Sequence, residues 1–147
     1  MTITKADYDL DAGEVVEIET PAGLRHVQVL AVRAPYPEIL RAIRPGAATD
    51  AASLAARPTA FAAMTDLGRA LSRGEVKGRL LGRAPAPEDG PELTTFRIPV
   101  RNPRGGIAYW WLWDEDGLRL DPDDGPSDRA SREITSIARL IDRLAAL

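Results

Sequence analysis

Apolar and polar residues alternate twice near the start of the chain, which predicts a β-hairpin. Val16 and Ile18 fall on one face of residues 14–19 while glutamates fall on the other, and residues 24–33 resume the alternation. Residues 20–23, Thr-Pro-Ala-Gly, suit a turn because proline fixes φ and glycine permits a positive φ. The first two strands are therefore expected to pair with each other.

The next segments suit short elements separated by proline and glycine. Residues 37–43 fit a short helix with proline at its first position, and they fit a third short strand nearly as well, so both remain open. Thr49 or Asp50 can cap a short alanine-rich helix that the Arg57-Pro58 step interrupts. A single long element is not expected before residue 58.

Apolar positions in residues 58–73 have helical spacing. They advance by three, three and four residues, and they are Phe61, Met64, Leu67 and Leu71. Gly74 follows where a left-handed residue commonly ends a helix. One helix over residues 58–73 is therefore predicted.

More strands are predicted downstream. Residues 75–82 and 93–100 alternate, and a proline-rich loop over residues 84–92 separates them. Residues 107–113, Ile-Ala-Tyr-Trp-Trp-Leu-Trp, are apolar on both faces, which suits a central, doubly covered strand or a surface that binds a partner. After an acidic turn, residues 118–120 can form a short return strand.

The C-terminal segment has the pattern of an amphipathic helix. Pro126, Ser127 and Asp128 suit its start, and it is expected to run to about Leu147, a length of about 30 Å. Its apolar stripe consists of Ala130, Ile134, Ile137, Ile141 and Leu144. The same stripe can form the core contact of a monomer or the interface of a homodimer.

Together these elements predict an α+β protein with a single domain over residues 1–147. We expect a bent antiparallel sheet of about five or six strands, SH3-like or small and barrel-like, because the strands are short and their alternation is broken by glycine. Two main helices, the longer one C-terminal, are expected to cover it.

Composition excludes several classes of site. The chain has no cysteine, which excludes disulfides and thiolate metal sites and suits a reducing compartment. The N-terminus lacks the pattern of a secretory signal, and every apolar run is far shorter than the roughly 18 residues of a spanning helix. We therefore expect a soluble protein located in the cytoplasm, with no membrane partner.

Candidate catalytic and metal-binding residues are few. His26, the one histidine, lies inside a predicted strand, and an enzymatic role for it is the weakest of three functional hypotheses. The acidic run over residues 114–128 does not match the spacing of an EF-hand loop in any register. No catalytic residue, metal or cofactor is therefore expected.

Two arginine-containing segments could bind anions. Arg101 and Arg104 flank a turn that contains Gly105 and Gly106, where backbone N–H groups and guanidiniums can converge on a phosphate or carboxylate. This turn is the basis of the second hypothesis, a small-ligand or anion-binding domain. A basic stripe formed by Arg69, Arg73, Lys77, Arg79 and Arg83 lacks stacking aromatics, so nucleic acid is not an expected partner.

The aromatic cluster Tyr109, Trp110, Trp111 and Trp113 holds all three tryptophans of the chain. Alternation sends Tyr109, Trp111 and Trp113 to one face of the strand and Trp110 to the other. One face must form core, and the other either packs under the C-terminal helix or lines a binding surface, where tryptophan and tyrosine are favoured anchors. The first functional hypothesis is a non-enzymatic protein-binding module that uses these four residues.

The order of elements resembles a family of bacterial immunity proteins from polymorphic-toxin systems. The resemblance rests on the early hairpin GEVVEIETPAGLRHVQVL, a helix followed by GEVKGRLLGRAP, FRIPV before a hairpin, and a closing helix. It implies an SH3-like sheet and a protein that binds and blocks a toxin, without assigning site residues. Homodimerisation, through the C-terminal stripe or an open sheet edge, is compatible with the same pattern.

Overall fold

The computed structural model describes residues 9–33, 36–88, 90–122 and 134–147. They divide into two compact units, one within Met1–Pro87 and Ile134–Leu147 and the other within Glu88–Glu133. We call them the five-stranded unit and the three-stranded unit, after the antiparallel sheet that each contains. The expectation of a single domain over residues 1–147 stays a prediction.

The described strands and helices follow one another in short segments. The strands are β1 (Glu14–Thr20), β2 (Gly23–Ala31), β3 (Glu38–Ile43), β4 (Thr59–Thr65), β5 (Gly78–Arg83), β6 (Phe96–Arg101), β7 (Ile107–Asp114) and β8 (Gly117–Leu120). The helices are α1 (Ala51–Ala55), α2 (Leu67–Arg73), α3 (Gly90–Leu93) and α4 (Ile137–Ala145). The strand order is β4-β3-β2-β1-β5 in one sheet and β6-β7-β8 in the other.

Helices bury both faces of the five-stranded sheet. Val15 and Val16 are neighbours in β1, so they point to opposite faces, and both are fully buried. Val16 belongs to a core cluster that includes residues of α2 and α4: Leu67, Ala70, Leu71, Leu140 and Leu144. Val15 belongs to a smaller cluster that includes Leu54 and Ala55 of α1. The sheet therefore lies between α1 on one face and α2 with α4 on the other.

Several local predictions are confirmed. β1 and β2 form the expected hairpin, with Val16 opposite Val27. Asp50 caps α1, since its Oδ2 accepts a hydrogen bond from the Ser53 N–H at 3.0 Å. Gly74 ends α2 with φ 74°, the left-handed conformation that favours glycine. For residues 37–43, the structure has a strand, β3, and not a helix.

The predicted helix over residues 58–73 is wrong in its first half. Residues 59–65 form β4, which pairs antiparallel with β3, and only residues 67–73 form a helix. Met64 is 1% exposed, and Phe61 packs against the larger core cluster. The two residues are three apart and so lie on opposite faces of the strand, and both faces need apolar side chains. Apolar residues on both faces of a strand reproduced helical spacing by coincidence.

The predicted start and length of the C-terminal helix are also wrong. Ile134 forms a parallel bridge with Met64, and the Thr135 N–H donates to the Met64 carbonyl at 2.8 Å. The Ser136 Oγ then accepts from the Arg139 N–H at 3.2 Å and caps α4, which has nine residues. Extended backbone is favoured here because it can hydrogen-bond to backbone groups at the outer edge of β4. Residues 126–133 of the prediction lie outside the described residues.

The fold class is confirmed at the level of α+β with antiparallel sheets. The strands form two sheets of five and three strands, where one sheet was expected. Among the described helices α4 is the longest, as expected for the C-terminal one. Leu144 of its stripe and the neighbouring Leu140 are buried in the larger core cluster, and Ile137 and Ile141 pack against that cluster.

Candidate functional site

One face of the three-stranded sheet consists of apolar side chains from all three strands. The register places Phe96, Trp113 and Leu118 in one row, and Ile98, Trp111 and Leu120 in the next. We call the following set the apolar sheet face: Phe96, Ile98, Val100, Tyr109, Trp111, Trp113, Leu118 and Leu120. Residues directly opposite one another in a ladder share a face, so the set is continuous.

Exposure rises across this face from β6 to β8. In one row Phe96 is 2% exposed, Trp113 is 8% exposed and Leu118 is 57% exposed. Leu120 of the next row is also 57% exposed, and Tyr109 is 41% exposed. Within the aromatic cluster, Trp113 is therefore part of the core beside Phe96, whereas Tyr109, near the other end of β7, meets solvent.

Ring contacts hold the aromatic side chains of β7 in place. Trp113 packs on Phe96 with ring centroids 5.7 Å apart, and Tyr109 meets Trp111 edge-on at 6.0 Å. Edge-to-face and tilted pairs of this kind contribute roughly 0.5–1.5 kcal/mol beyond the area that they bury. Trp111 and Tyr109 are therefore presented as fixed groups and not as loose side chains.

Trp110 points to the opposite face and has a structural role there. The Arg97 guanidinium carbon lies 4.0 Å from the centroid of the Trp110 ring. Arg97 Nε also donates to Asp121 Oδ2 at 3.0 Å, and both of these side chains are almost fully buried. Among the four aromatic residues predicted to bind a protein, Trp110 is thus separated from the other three.

Charges of opposite sign lie at the two ends of the apolar sheet face. Arg101 and Arg104 are exposed beside the β6–β7 turn. Glu115 and Asp116 form the β7–β8 turn and are exposed, while Asp114 pairs with Arg119. A partner on this face would meet a basic end and an acidic end.

The backbone N–H groups of the glycine-containing turn form hydrogen bonds within the turn itself. Asn102 Oδ1 accepts from the N–H groups of Arg104 at 2.9 Å and Gly106 at 3.0 Å, and its carbonyl accepts from the Gly105 N–H at 3.0 Å. Arg101 donates to the Gly105 carbonyl at 3.1 Å. Arg101, Arg104, Gly105 and Gly106 lie together at the β6–β7 turn, but the backbone N–H groups of Arg104, Gly105 and Gly106 donate to Asn102. Anion binding here stays a prediction that this geometry does not favour.

Four arginines of the basic stripe and His26 lie beside carboxylates. Arg79 Nε donates to Glu17 Oε1 at 2.9 Å, and His26 Nε2 lies 3.1 Å from Glu17 Oε2. The hydrogen bond from Arg79, aided by that from His26, lowers the pKa of the Glu17 carboxyl from its ordinary value. Arg69, Arg73 and Arg83 also lie within 4 Å of carboxylates. Arg79 and His26 pair with Glu17 across the sheet, Arg69 and Arg73 pair locally beside α2, and the enzymatic hypothesis on His26 stays a prediction.

A cleft of about 720 Å³ opens on the five-stranded unit. Glu38 borders it and accepts a hydrogen bond from the Gly68 N–H at 2.6 Å, while burial raises the pKa of the Glu38 carboxyl. Asp66 and Arg69, which also line it, pair at 3.4 Å. Sequence reasoning missed this cleft because its walls come from segments far apart in the chain.

No family model, curated protein or solved structure matches the chain. The resemblance to immunity proteins therefore stays a prediction, and the candidate site rests on its own geometry. In the described ranges, no cluster of three or more histidine, aspartate and glutamate side chains could hold a metal ion. Within those ranges no helix is both long enough and apolar enough to cross a membrane.

Sequence reasoning also missed Leu118 and Leu120. Both were assigned to a short return strand, yet neither was identified as part of the site. The usable signal was alternation: Leu118 and Leu120 follow a tight turn, so they had to lie opposite Trp113 and Trp111. Their exposure could not be read from that pattern, because it depends on what covers the sheet.

Proposed function

We propose that this protein is a non-enzymatic protein-binding module whose partner docks on the exposed part of the apolar sheet face. The observation that carries the proposal is the joint exposure of Tyr109, Leu118 and Leu120 beside Trp111. Large exposed apolar side chains that adjoin a fixed aromatic group are typical of interfaces. The charged ends of the face add a means of orienting the partner.

Burial of these exposed apolar side chains by a partner would contribute favourably to binding. Each exposed leucine of β8 would contribute on the order of 1 kcal/mol if its remaining area were buried, with tyrosine adding a similar amount. Such a group can anchor an interface when charged residues surround it, and here Arg104, Glu115 and Asp116 are exposed at its ends. A scattered set of exposed leucines would not offer this continuity.

The class of partner comes from the resemblance to immunity proteins. On that basis the module binds and blocks a bacterial toxin, and its sheet has SH3-like character. The apolar sheet face supports this role because toxin blockade requires a stable contact surface and no catalytic group on the blocking protein.

A capture experiment with a matched control tests the proposal. Leu118→Ser changes the candidate face, and Leu24→Ser changes a leucine of similar exposure, 50% against 57%, in the five-stranded unit. The wild-type protein, immobilised and exposed to lysate of its source cells, should retain one stoichiometric partner. The amount of partner that Leu118→Ser retains should be at least about tenfold lower than for wild type, as expected for removal of an interface anchor. Leu24→Ser should retain as much as wild type.

The partner so identified then tests the toxin role. Expressed alone it should arrest bacterial growth, and co-expression of the wild-type module should restore growth while Leu118→Ser should not. Equal capture by wild type and Leu118→Ser would contradict binding at the apolar sheet face. A retained partner without toxicity would contradict the immunity role and leave protein binding in place.

A further inference from the structure

Among the described residues, no strand pairs with the outer edge of β8, so its backbone is open to hydrogen bonding there. The Asp121 N–H donates to the Trp110 carbonyl at 2.9 Å, which fixes the hydrogen-bonded pairs of the β7–β8 ladder. Hydrogen-bonded and non-hydrogen-bonded pairs alternate in an antiparallel ladder. Arg119 therefore bonds inward to β7, and the N–H and C=O groups of Leu118 and Leu120 point outward.

This edge differs from the edges of the five-stranded sheet. The outer side of β4 is occupied by the bridge at Ile134 and the hydrogen bond from Thr135. The outer strand β5 carries Arg79 and Arg83, and its pairing with β1 is broken by a register shift. Charges, bulges and covering segments are the ordinary ways in which proteins block strand addition. β5 also carries an exposed leucine, Leu80 at 44%, so what sets β8 apart is its continuous register with β7 and its two leucines, each 57% exposed, on either side of Arg119.

An added strand would extend the apolar sheet face as well as the ladder. Its backbone would satisfy the outward groups of Leu118 and Leu120, and its alternate side chains would lie beside those two leucines. Trp113 and Trp111 are the next residues in the same two rows. Strand addition thus buries the leucines by the same geometry that pairs β7 with β8.

Charge decides between a second copy of the chain and a different partner strand. If two β8 strands paired antiparallel with their leucines matched, Arg119 would face the Arg119 of the other copy in a closely spaced pair, and like charges directly opposite each other are destabilising even where each Arg119 also pairs with its own Asp114. A different strand can instead place a cation beside Glu115 and Asp116, which are exposed and form no ion pair among the described residues.

We propose that the partner binds by adding an extended strand to the open edge of β8. The strand is antiparallel to β8, carries apolar side chains at alternate positions and has lysine or arginine at its C-terminal end, beside Glu115 and Asp116. This inference rests on the proposed function and names the mode of recognition at the same site.

A synthetic peptide tests the edge directly on the full chain. The probe alternates valine and threonine and ends in two lysines, and its control ends in two glutamates. At a peptide concentration about ten times its Kd, amide exchange at Leu118 and Leu120 should slow about tenfold, and Arg119 should change far less because its N–H already bonds to β7. The lysine peptide should bind at least about threefold more tightly than the glutamate peptide at low salt.

Two variants separate the backbone contribution from that of the side chain. Leu120→Pro removes an outward N–H at an edge position, where proline is tolerated, and should abolish peptide protection. Leu120→Ala keeps that N–H and should weaken binding by only a few fold. Equal losses in the two variants, or no protection by either peptide, would overturn strand addition.

Further outcomes distinguish a failure of strand addition from a failure of the proposed function. Protection of Leu118 and Leu120 that grows with protein concentration alone, with dimers seen by light scattering, would identify a second copy as the occupant and overturn the inference. Peptide failure combined with loss of the captured partner in Leu118→Ser would reject the strand and leave the proposed function in place. Retention of that partner by Leu118→Ser would reject the proposed function itself.

Discussion

The two units use the same alternation of side chains with different results. In the five-stranded unit, helices cover both faces of the sheet, and strand residues such as Val15 and Val16 are fully buried on opposite sides. In the three-stranded unit, alternation again gathers apolar residues on one face, yet Leu118 and Leu120 remain more than half exposed. An apolar pattern therefore selects a face, and only covering elements decide whether that face becomes core or surface.

The units also differ in how they hold charge. In the three-stranded unit Arg97 and Asp121 form a pair whose side chains are only 5% and 2% exposed. In the five-stranded unit Arg83 and Asp11 form a pair in which both side chains are more than half exposed. Buried pairs are costly to break from one side because the remaining charge stays desolvated, whereas exposed pairs exchange readily with water.

The largest predicted effect comes from breaking the buried pair. Asp121→Asn should lower the free energy of unfolding by about 3–5 kcal/mol, because it removes the carboxylate that faces a buried guanidinium. Asp11→Asn is the matched control and should change it by less than about 1 kcal/mol. Urea denaturation monitored by circular dichroism, which reports the strands of both units, measures both changes. Equal effects would show that the burial of the two pairs does not separate the units.

A leucine pair gives the next largest effect. Leu40, in β3, is 1% exposed and belongs to the larger core cluster, while Leu120 is 57% exposed. Leu40→Ala should cost about 2–5 kcal/mol through lost burial and a residual cavity, and Leu120→Ala should stay within about 0.5 kcal/mol. Circular dichroism during urea denaturation measures both changes. A cost above about 2 kcal/mol for Leu120→Ala would make β8 part of the core and remove the surface on which the proposed function depends.

Sequence reasoning succeeded where the local pattern and the tertiary environment agree. The β1–β2 hairpin, the Asp50 cap and the Gly74 end of α2 all depend on residues within a few positions of one another. It failed at residues 58–65 and 134–136, where pairing partners distant in the chain make extended backbone the better choice. Tertiary pairing overrides a helical pattern when it satisfies a sheet edge or buries both faces of a strand.

The candidate site was predictable in its chemistry and not in its boundaries. The concentration of aromatic residues in 109–113 identified the strand, and alternation identified which side chains share a face. The separate role of Trp110 depends on Arg97 and Asp121, which lie 13 and 11 residues away in sequence. The exposure of Leu118 depends on which other residues cover the sheet, and no local pattern in the sequence records that.

The smallest predicted effects concern two glutamates of the five-stranded sheet whose pKa values move in opposite directions. The pKa of Glu17 is lowered from 4.5, chiefly by the hydrogen bond from Arg79, so its contribution to stability is present above pH 4.5 and is lost as pH falls through the lower folded-state pKa. The pKa of Glu38 is raised from 4.5, chiefly by burial, so the folded protein is destabilised as pH rises from 4.5 through the raised value.

Glutamine variants of these two residues should therefore respond to acid with opposite signs. As pH is lowered from about 5 to 3, the stability advantage of wild type over Glu17→Gln should shrink, because the unfolded chain takes up the proton more readily than the folded protein. As pH is lowered from about 6 to 4.5, wild type should instead gain relative to Glu38→Gln. Urea denaturation across this pH series should show changes of about 1 kcal/mol or less. If the stability difference between wild type and variant changed with pH in the same direction for both residues, either Arg79 would not hold the Glu17 carboxylate or Glu38 would not be desolvated. The pairing of Glu17 with Arg79 and His26 would then need a different explanation.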